Sequence, residues 1–236
     1  TILKPNPNLV MHSYIISLGG SLIVRVKVDV NFLKRFREII LNHIKESRFI
    51  IICGGGKTAR RYQEAASGVM KLGSEDLDWI GIHSTRLNAQ LIKIIFKNIA
   101  HPIVIHNPTE KLKLKDKERV VVAAGWKPGS STDYDAVLLA KNFRVTQLIN
   151  LSNVDYVYNK NPKKYPDARP IKAINWKEFR KIVGTKWDPG ANVPFDPIAS
   201  KLAEKLKLKV IIANGKNMEN LDEILHGRKF IGTTVG

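Results

Sequence analysis

The chain has 236 residues, enough for one domain with a large core, and an ordinary globular composition of 44% hydrophobic and 25% charged residues. Its single cysteine, Cys53, excludes an internal disulfide, and the longest apolar runs, such as "FIIIC", are far too short to cross a bilayer. The balance of 39 Lys and Arg against 21 Asp and Glu, formally +18, points to an anionic partner: nucleic acid, anionic lipid or a small substrate such as a nucleotide.

The segment "TILKPNPNLVMHS" (1–13) reads as a Pro/Asn-rich N-terminal extension without the apolar core of a signal peptide. "YIISL" (14–18) predicts a strand that runs into Gly19-Gly20-Ser21. From Asp29, which is placed to cap, Phe32, Phe36, Ile39, Ile40 and Ile44 recur at helical spacing. "FIIIC" (49–53) is the next strand, followed by Gly54-Gly55-Gly56 and a helix from about Thr58. Residues 76–96, "DLDWIGIHSTRLNAQLIKIIF", form a long helical pattern. The strands "PIVIH" (102–106) and "RVVVAAGW" (119–126), a helix after Asp133 and the strand "TQLINL" (146–151) follow. Between them, "EKLKLKDKER" (110–119) alternates Leu and Lys like an exposed strand or hairpin edge, where lysine guards against aggregation. "PFDPIASKLAEKLKLKVIIANG" is again a helix followed by a strand.

Strands alternating with helices predict an α/β fold, a three-layer αβα sandwich around a mostly parallel sheet, in one domain over 14–236. Ligands of such sheets bind beyond the carboxyl ends of the strands. Glycine-rich segments at 19–21, 54–56 and 125–129 all follow apolar strands, so three loops converge on one crevice. Glycines there let backbone N–H groups approach an anion, and the following helix adds its positive end. A Walker A loop is excluded, because the glycine it needs five residues before Gly56-Lys57-Thr58 is Ile51. A tight packing turn is the competing explanation for Gly54–Gly56. In "GWKPGSSTDYDAV" (125–137), Pro128-Gly129 bends the chain, Ser130, Ser131 and Thr132 offer hydroxyls, and Asp133 can cap a helix. The six histidines show no metal-ligand spacing, and no metal-ligating residues are expected.

"LGGS", "GGGKTARRY", "DWIGIHSTRLNA", "GWKPGSSTD", "SNVDYVYNKNP", "FDPIASK" and the terminal "GTT" stand in register from Tyr14 to Val235. In order and spacing they resemble the UMP kinases of archaeal type, in the amino-acid kinase superfamily. The resemblance implies an amino-acid kinase-like fold, with an acceptor lobe over about 14–145 and an ATP lobe over about 146–236. It also implies transfer of the ATP γ-phosphate to UMP, use of Mg²⁺ and a homohexamer; the lone cysteine fits a reducing cytoplasm, and with short apolar runs and no zinc-finger, RNP-like or helix-turn-helix pattern, no membrane or specific nucleic-acid partner is expected. By the same resemblance, Gly20, Ser21 and Gly56 contact ATP phosphates, and Ser152, Asn153, Tyr158 and Asn161 surround its base and ribose. Gly55, Asp78, Trp126, Lys127, Pro128, Gly129, Ser130, Ser131 and Thr132 hold UMP, while Arg60, Asp133 and Asp196 organise the reacting centre. Either aspartate could instead cap a helix, and Asp78 could be a surface carboxylate. Arg60 is favoured over Arg61, which reads as structural; Lys127 and Lys201 are weaker cationic candidates.

Three positions depart from the family pattern: Tyr156 replaces a glycine, Asn161 replaces an acidic residue before proline, and Ser152 stands where threonine is common. All three fall on the ATP side. Tyrosine does not readily take a positive φ, so either this turn differs or the ring covers the nucleotide. The rival expectations are another small-molecule kinase of the superfamily, a non-catalytic nucleotide- or anion-binding paralogue, and a charge-driven nucleic-acid binder.

Overall fold

In the central strands, neighbouring residues are buried on opposite faces, which is why they read as unbroken apolar runs. A computed structural model describes residues 11–162, 164–185 and 193–236, so most of the expected N-terminal extension lies outside the described residues. In chain order the elements are β1 (His12–Leu18), α1 (Gly20–Ile23), α2 (Val30–His43), β2 (Ser47–Cys53), α3 (Gly56–Val69) and α4 (Ser74–Ile95). They continue with β3 (Val120–Ala123), α5 (Thr132–Phe143), β4 (Gln147–Ser152), β5 (Val157–Tyr158), β6 (Pro170–Ile171) and β7 (Ala173–Ile174). The last are α6 (Trp176–Val183), α7 (Pro197–Lys205), β8 (Lys209–Asn214), α8 (Met218–Leu225) and β9 (Thr233–Val235).

The main sheet has the order β3-β2-β1-β4-β8-β9-β7, and its pairings are parallel except β8 with β9. On one face Ile16, Leu18, Phe49, Ile51, Val122, Leu151 and Ile211 pack with Phe36, Ile40, Ile92 and Leu221 from α2, α4 and α8. On the other, Ile15, Ile50, Ile52, Val121, Leu148, Val210 and Ile212 pack with Val137, Phe179 and Ala199 from α5, α6 and α7. Truncating one such fully buried side chain to alanine costs about 2–5 kcal/mol. From β1 the chain winds outward through β2 to β3, then returns to lay β4 on the other side of β1. The order therefore reverses between β1 and β4, and their carboxyl ends open the crevice where such sheets bind ligands.

Several expectations change. Residues 102–106 form no strand; Ala100 and Ile105 make only isolated bridges to Val120 and Ala123. Residues 110–119 also form no strand, although Leu112 and Leu114 do turn inward onto the core while Lys111 and Lys113 stay exposed. The alternation records burial without a ladder partner. The helix expected near Thr58 starts at Gly56. Asp29 caps α2 as expected, accepting from Phe32 N at 3.0 Å. Asp133 does not cap α5: Ser131 does, accepting from Tyr134 N at 3.1 Å, which leaves the Asp133 carboxylate for other work.

Candidate active site

Two glycine turns interlock at the mouth of the crevice. A Cβ on Gly20 would lie 2.3 Å from the Gly54 carbonyl oxygen and 2.4 Å from Gly56 N. Conversely, a Cβ on Gly56, whose φ is +65°, would lie 2.4 Å from the Gly20 carbonyl carbon. Main chain meets main chain, so no side chain fits between them. Ladder-type bonds from Gly19 N to Leu151 O and from Gly54 N to Leu18 O, both 2.9 Å, join the ends of β1, β2 and β4. Asn88, buried on α4, holds the second turn from behind, donating through Nδ2 to Gly54 O at 2.8 Å. Gly56 opens α3, so that helix directs its unpaired N-terminal amides toward the seam.

The segment after β3 forms the opposite wall. Its backbone is pinned by side chains: Gly125 N donates to Thr85 Oγ1 at 2.8 Å, and Gly129 N to Asp78 Oδ2 at 2.8 Å. Asp135, fully buried, accepts from Trp126 N at 3.0 Å and from Ser130 Oγ at 2.5 Å. Burial pushes the Asp135 carboxyl up to about 6, against the opposing pull of those two hydrogen bonds and the Lys127 charge. Arg86 on α4 donates to Trp126 O at 3.3 Å, and Lys127 Nζ sits 4.2 Å over the Trp126 ring. Trp126, Lys127, Gly129, Ser130 and Ser131 line a cavity of about 460 Å³ that also reaches Asp196. Pro128 and Thr132 belong to the same wall, as the bend and the first residue of α5.

Asp133 and Asp196 meet at the crevice floor. Asp133 accepts from Asp196 N at 3.1 Å and from Ser17 Oγ at 3.4 Å, and Asp196 caps α7 through Ala199 N at 2.7 Å. Burial, with the Asp196 carboxylate adding repulsion, raises Asp133 to about 7, although the Asp196 amide and Ser17 bonds work against it. The pair thus places a carboxyl that can carry a proton at neutral pH beside one whose Oδ1 is committed to a helix cap.

The other half of the crevice is built differently. Ser152 ends β4 and its carbonyl accepts from Gly215 N at 2.8 Å; Asn153 is exposed just beyond. Tyr158 lies in the short β5–β6 ladder opposite Pro170, and Asn161 is exposed, its carbonyl accepting from the amides of Lys164 and Tyr165. Among the described residues only Arg144 and Lys207 combine a side chain with a positive φ, so the turn at Tyr156 is made without one. Tyr156 lines a cavity of about 600 Å³ shared with Asn217, Phe230 and Gly232.

Arg60 is exposed on α3 and makes no polar contact among the described residues, whereas Arg61 donates to Val26 O at 3.0 Å, in keeping with the structural part expected of it. Sequence reasoning missed Asn88, Arg86, Asp135 and Ser17. Two of these lay inside the quoted "TRLNA" motif, and Asp135 inside "DYD"; their burial against backbone was the missing signal.

A parallel sheet with glycine-lined turns and a polar wall at its switch point defines a phosphate-handling α/β protein. The model of the amino acid kinase family matches residues 13–214. The chain is 37% identical over 226 residues to "Uridylate kinase" of Thermoplasma volcanium, covering 94% of this chain and 97% of that one. It is 33% identical over 225 residues to "Uridylate kinase" of Methanobrevibacter smithii, covering 94% and 97%. It is similar to the crystal structure of uridylate kinase from Archaeoglobus fulgidus, with a TM-score of 0.82 at 31% identity over 94% of this chain and 99% of that one. The chain belongs to the amino acid kinase family, among the uridylate kinases.

Proposed function

We propose that this protein transfers the γ-phosphoryl group of ATP to UMP, giving UDP and ADP. The observation that carries the reading is the backbone-to-backbone seam of Gly20 and Gly56, facing the wall pinned by Asp78 and Asp135. An oxygen of the UMP phosphate attacks Pγ while the bond from Pγ to the β,γ-bridging oxygen breaks and ADP leaves. That nucleophile is already ionised, so catalysis rests on positioning and on stabilising spread negative charge. The seam suits phosphates because the two turns pack main chain on main chain at the start of α3, whose unpaired N-terminal amides favour an anion. Gly20, Ser21, Gly56 and Arg60 take the ATP phosphates, and Ser152, Asn153, Tyr158 and Asn161 its nucleoside. Gly55, Asp78 and Trp126 to Thr132 take UMP, with the acceptor half over about 14–145 and the donor half over about 146–236. Asp133 and Asp196 order the centre between them.

Mg²⁺ fits this donor set as a companion of the phosphates. Asp133 and Asp196 would hold it through their hard carboxylate oxygens, which already accept from Ser17 and from the amides of Asp196 and Ala199, and it would neutralise charge on the transferring phosphates. Assembly into a homo-oligomer, a hexamer by resemblance, is supported by the exposed stripe of Trp79, Leu87 and Ile94 on α4. Among the described residues no helix is long and apolar enough to cross a membrane. Action in the cytoplasm accords with the single, buried Cys53, whose thiol burial pushes far up. The test is a coupled assay of ADP release with ATP, Mg²⁺ and UMP, CMP or dUMP, comparing wild type with Arg60→Ala. The expected result is UMP-dependent turnover reduced about 100-fold in the variant. UMP binding without any turnover would make the protein a nucleotide-binding paralogue instead.

A further inference from the structure

Far from the crevice, the fold brings together three side chains whose sequence separations hide them. His43 is the last residue of α2, Asp222 lies on α8, and His226 caps the end of α8 one turn later. His43 Nε2 is 2.8 Å from Asp222 Oδ1, and His226 Nδ1 is 3.3 Å from Asp222 Oδ2. One ligand atom from each lies within 4.8 Å of the other two. The helices that carry them are not free to separate: Phe36 and Ile40 of α2 and Leu221 and Leu225 of α8 share one buried cluster, and Arg35 pairs with Glu219. Tyr14 Oη donates to Leu225 O at 3.2 Å, fixing this corner beside the start of β1, at the end of the sheet opposite the crevice.

We propose that His43, Asp222 and His226 form a binding site for a divalent transition-metal ion of the Zn²⁺ type. Two imidazoles and one carboxylate are a donor set that Zn²⁺, Co²⁺ and Ni²⁺ accept and Mg²⁺ does not favour. Ligand atoms around a tetrahedral Zn²⁺ stand about 3.3 Å apart, so the 3.3 Å between His226 and Asp222 already fits and no pair need close by more than about 1.5 Å. Exposure grades from 12% at the His43 side chain through 26% at Asp222 to 44% at His226, so water reaches the fourth position.

Arg228 marks where positive charge is favoured. Its Nη2 lies 3.4 Å from Asp222 Oδ2 and 3.2 Å from His226 Nδ1, while Nε and Nη2 also grip Glu223 at 2.8 and 2.9 Å. The guanidinium stands in for the cation; on metal entry it turns away and keeps Glu223 as its partner. His226 Nδ1, now 2.9 Å from the Asp222 carbonyl oxygen, exchanges that contact for the ion. The metal would clamp α2 to α8 and stabilise the folded chain by mass action.

The test titrates Zn²⁺, without nucleotide, into the chelator-stripped full chain by calorimetry and by thermal melting, with Co²⁺ absorption as the report on coordination. One equivalent should bind and raise Tm, with Mg²⁺ in excess failing to compete. His43→Gln and His226→Ala should each weaken Zn²⁺ affinity at least about tenfold while leaving UMP-dependent turnover unchanged. Arg228→Ala should tighten it. An absence of saturable Zn²⁺ binding in the wild type, or unchanged affinity in both histidine variants, overturns the proposal.

Discussion

The two sides of the crevice use unlike construction. On the side of β2, β3 and α4, backbone atoms of the loops are held by side chains rooted in helices: Asn88 on Gly54, Thr85 on Gly125, Asp78 on Gly129, Asp135 on Trp126. On the side of β4 and β8, the expected nucleoside contacts come from a strand end, an exposed turn and a two-residue ladder, with Asn153 and Asn161 both at exposed positions. A wall fixed before the ligand arrives discriminates by shape and hydrogen-bond register, because a misfitting ligand leaves buried polar groups unmatched. A wall of exposed polar groups tolerates exchange. Of the three positions that the resemblance marks as departures, Asn161 lies on the exposed turn, while Ser152 and Tyr156 are half-buried beside it.

The contrast can be broken at three places. The largest effect is expected at the seam common to both sides. Gly56→Ala forces a Cβ to within 2.4 Å of the Gly20 carbonyl carbon at a φ of +65°, and turnover with UMP should fall on the order of 1,000-fold, equivalent to about 4 kcal/mol. Steady-state kinetics with both substrates checks it, and a variant within tenfold of wild type would show that the loops can part.

Next comes Asp133. Its folded-state value of about 7 lies above the ordinary 3.8, so the native state holds a proton that the unfolded chain has released. This group therefore contributes most below about pH 4, and its contribution declines as pH rises from 4 to 7. The full difference corresponds to about 4 kcal/mol, and solvent reaching the partly exposed residue reduces it to about 2 kcal/mol. Urea melts of the protein and of Asp133→Asn at pH 5 and pH 8 should show the variant gaining relative stability at the higher pH. Parallel pH dependence would contradict the assignment.

An effect of similar size, and the most selective, is expected at Asp135. Asp135→Asn keeps the shape but can offer only one acceptor oxygen to Trp126 N and Ser130 Oγ, so kcat/KM for UMP should drop about 30-fold, close to 2 kcal/mol. KM for ATP should stay within about threefold of wild type. Equal losses for both substrates would mean that the two walls act as one body.

The strand–glycine–helix units were legible because hydrophobic runs and glycines are local signals, and so was the Asp29 cap; the Asp196 cap stood only as the alternative to a place in the reacting centre. The segment 102–106 misled because β-branched residues report a wish for burial, which it satisfies with isolated bridges instead of a ladder. Lys-Leu alternation over 110–119 misled in the same way. The crevice was readable where its lining is local in sequence, as in Ser130 and Ser131, which do line the cavity after β3. It was unreadable where a polar side chain works from inside: an Asn at 88 or an Asp at 135 looks like a solvated face until tertiary packing buries it. His43 and Asp222, 179 residues apart, show the same limit for a cluster of ligands.

The interlocked turns also constrain how this sequence can change over time. At most contacts a damaging substitution can be repaired by shrinking its neighbour. Between Gly20 and Gly56 the obstructing atoms are a carbonyl carbon, a carbonyl oxygen and amide nitrogens, which every residue carries. No second mutation can make them smaller. The two positions are closed to compensation, so drift must pass around them, through the walls on either side.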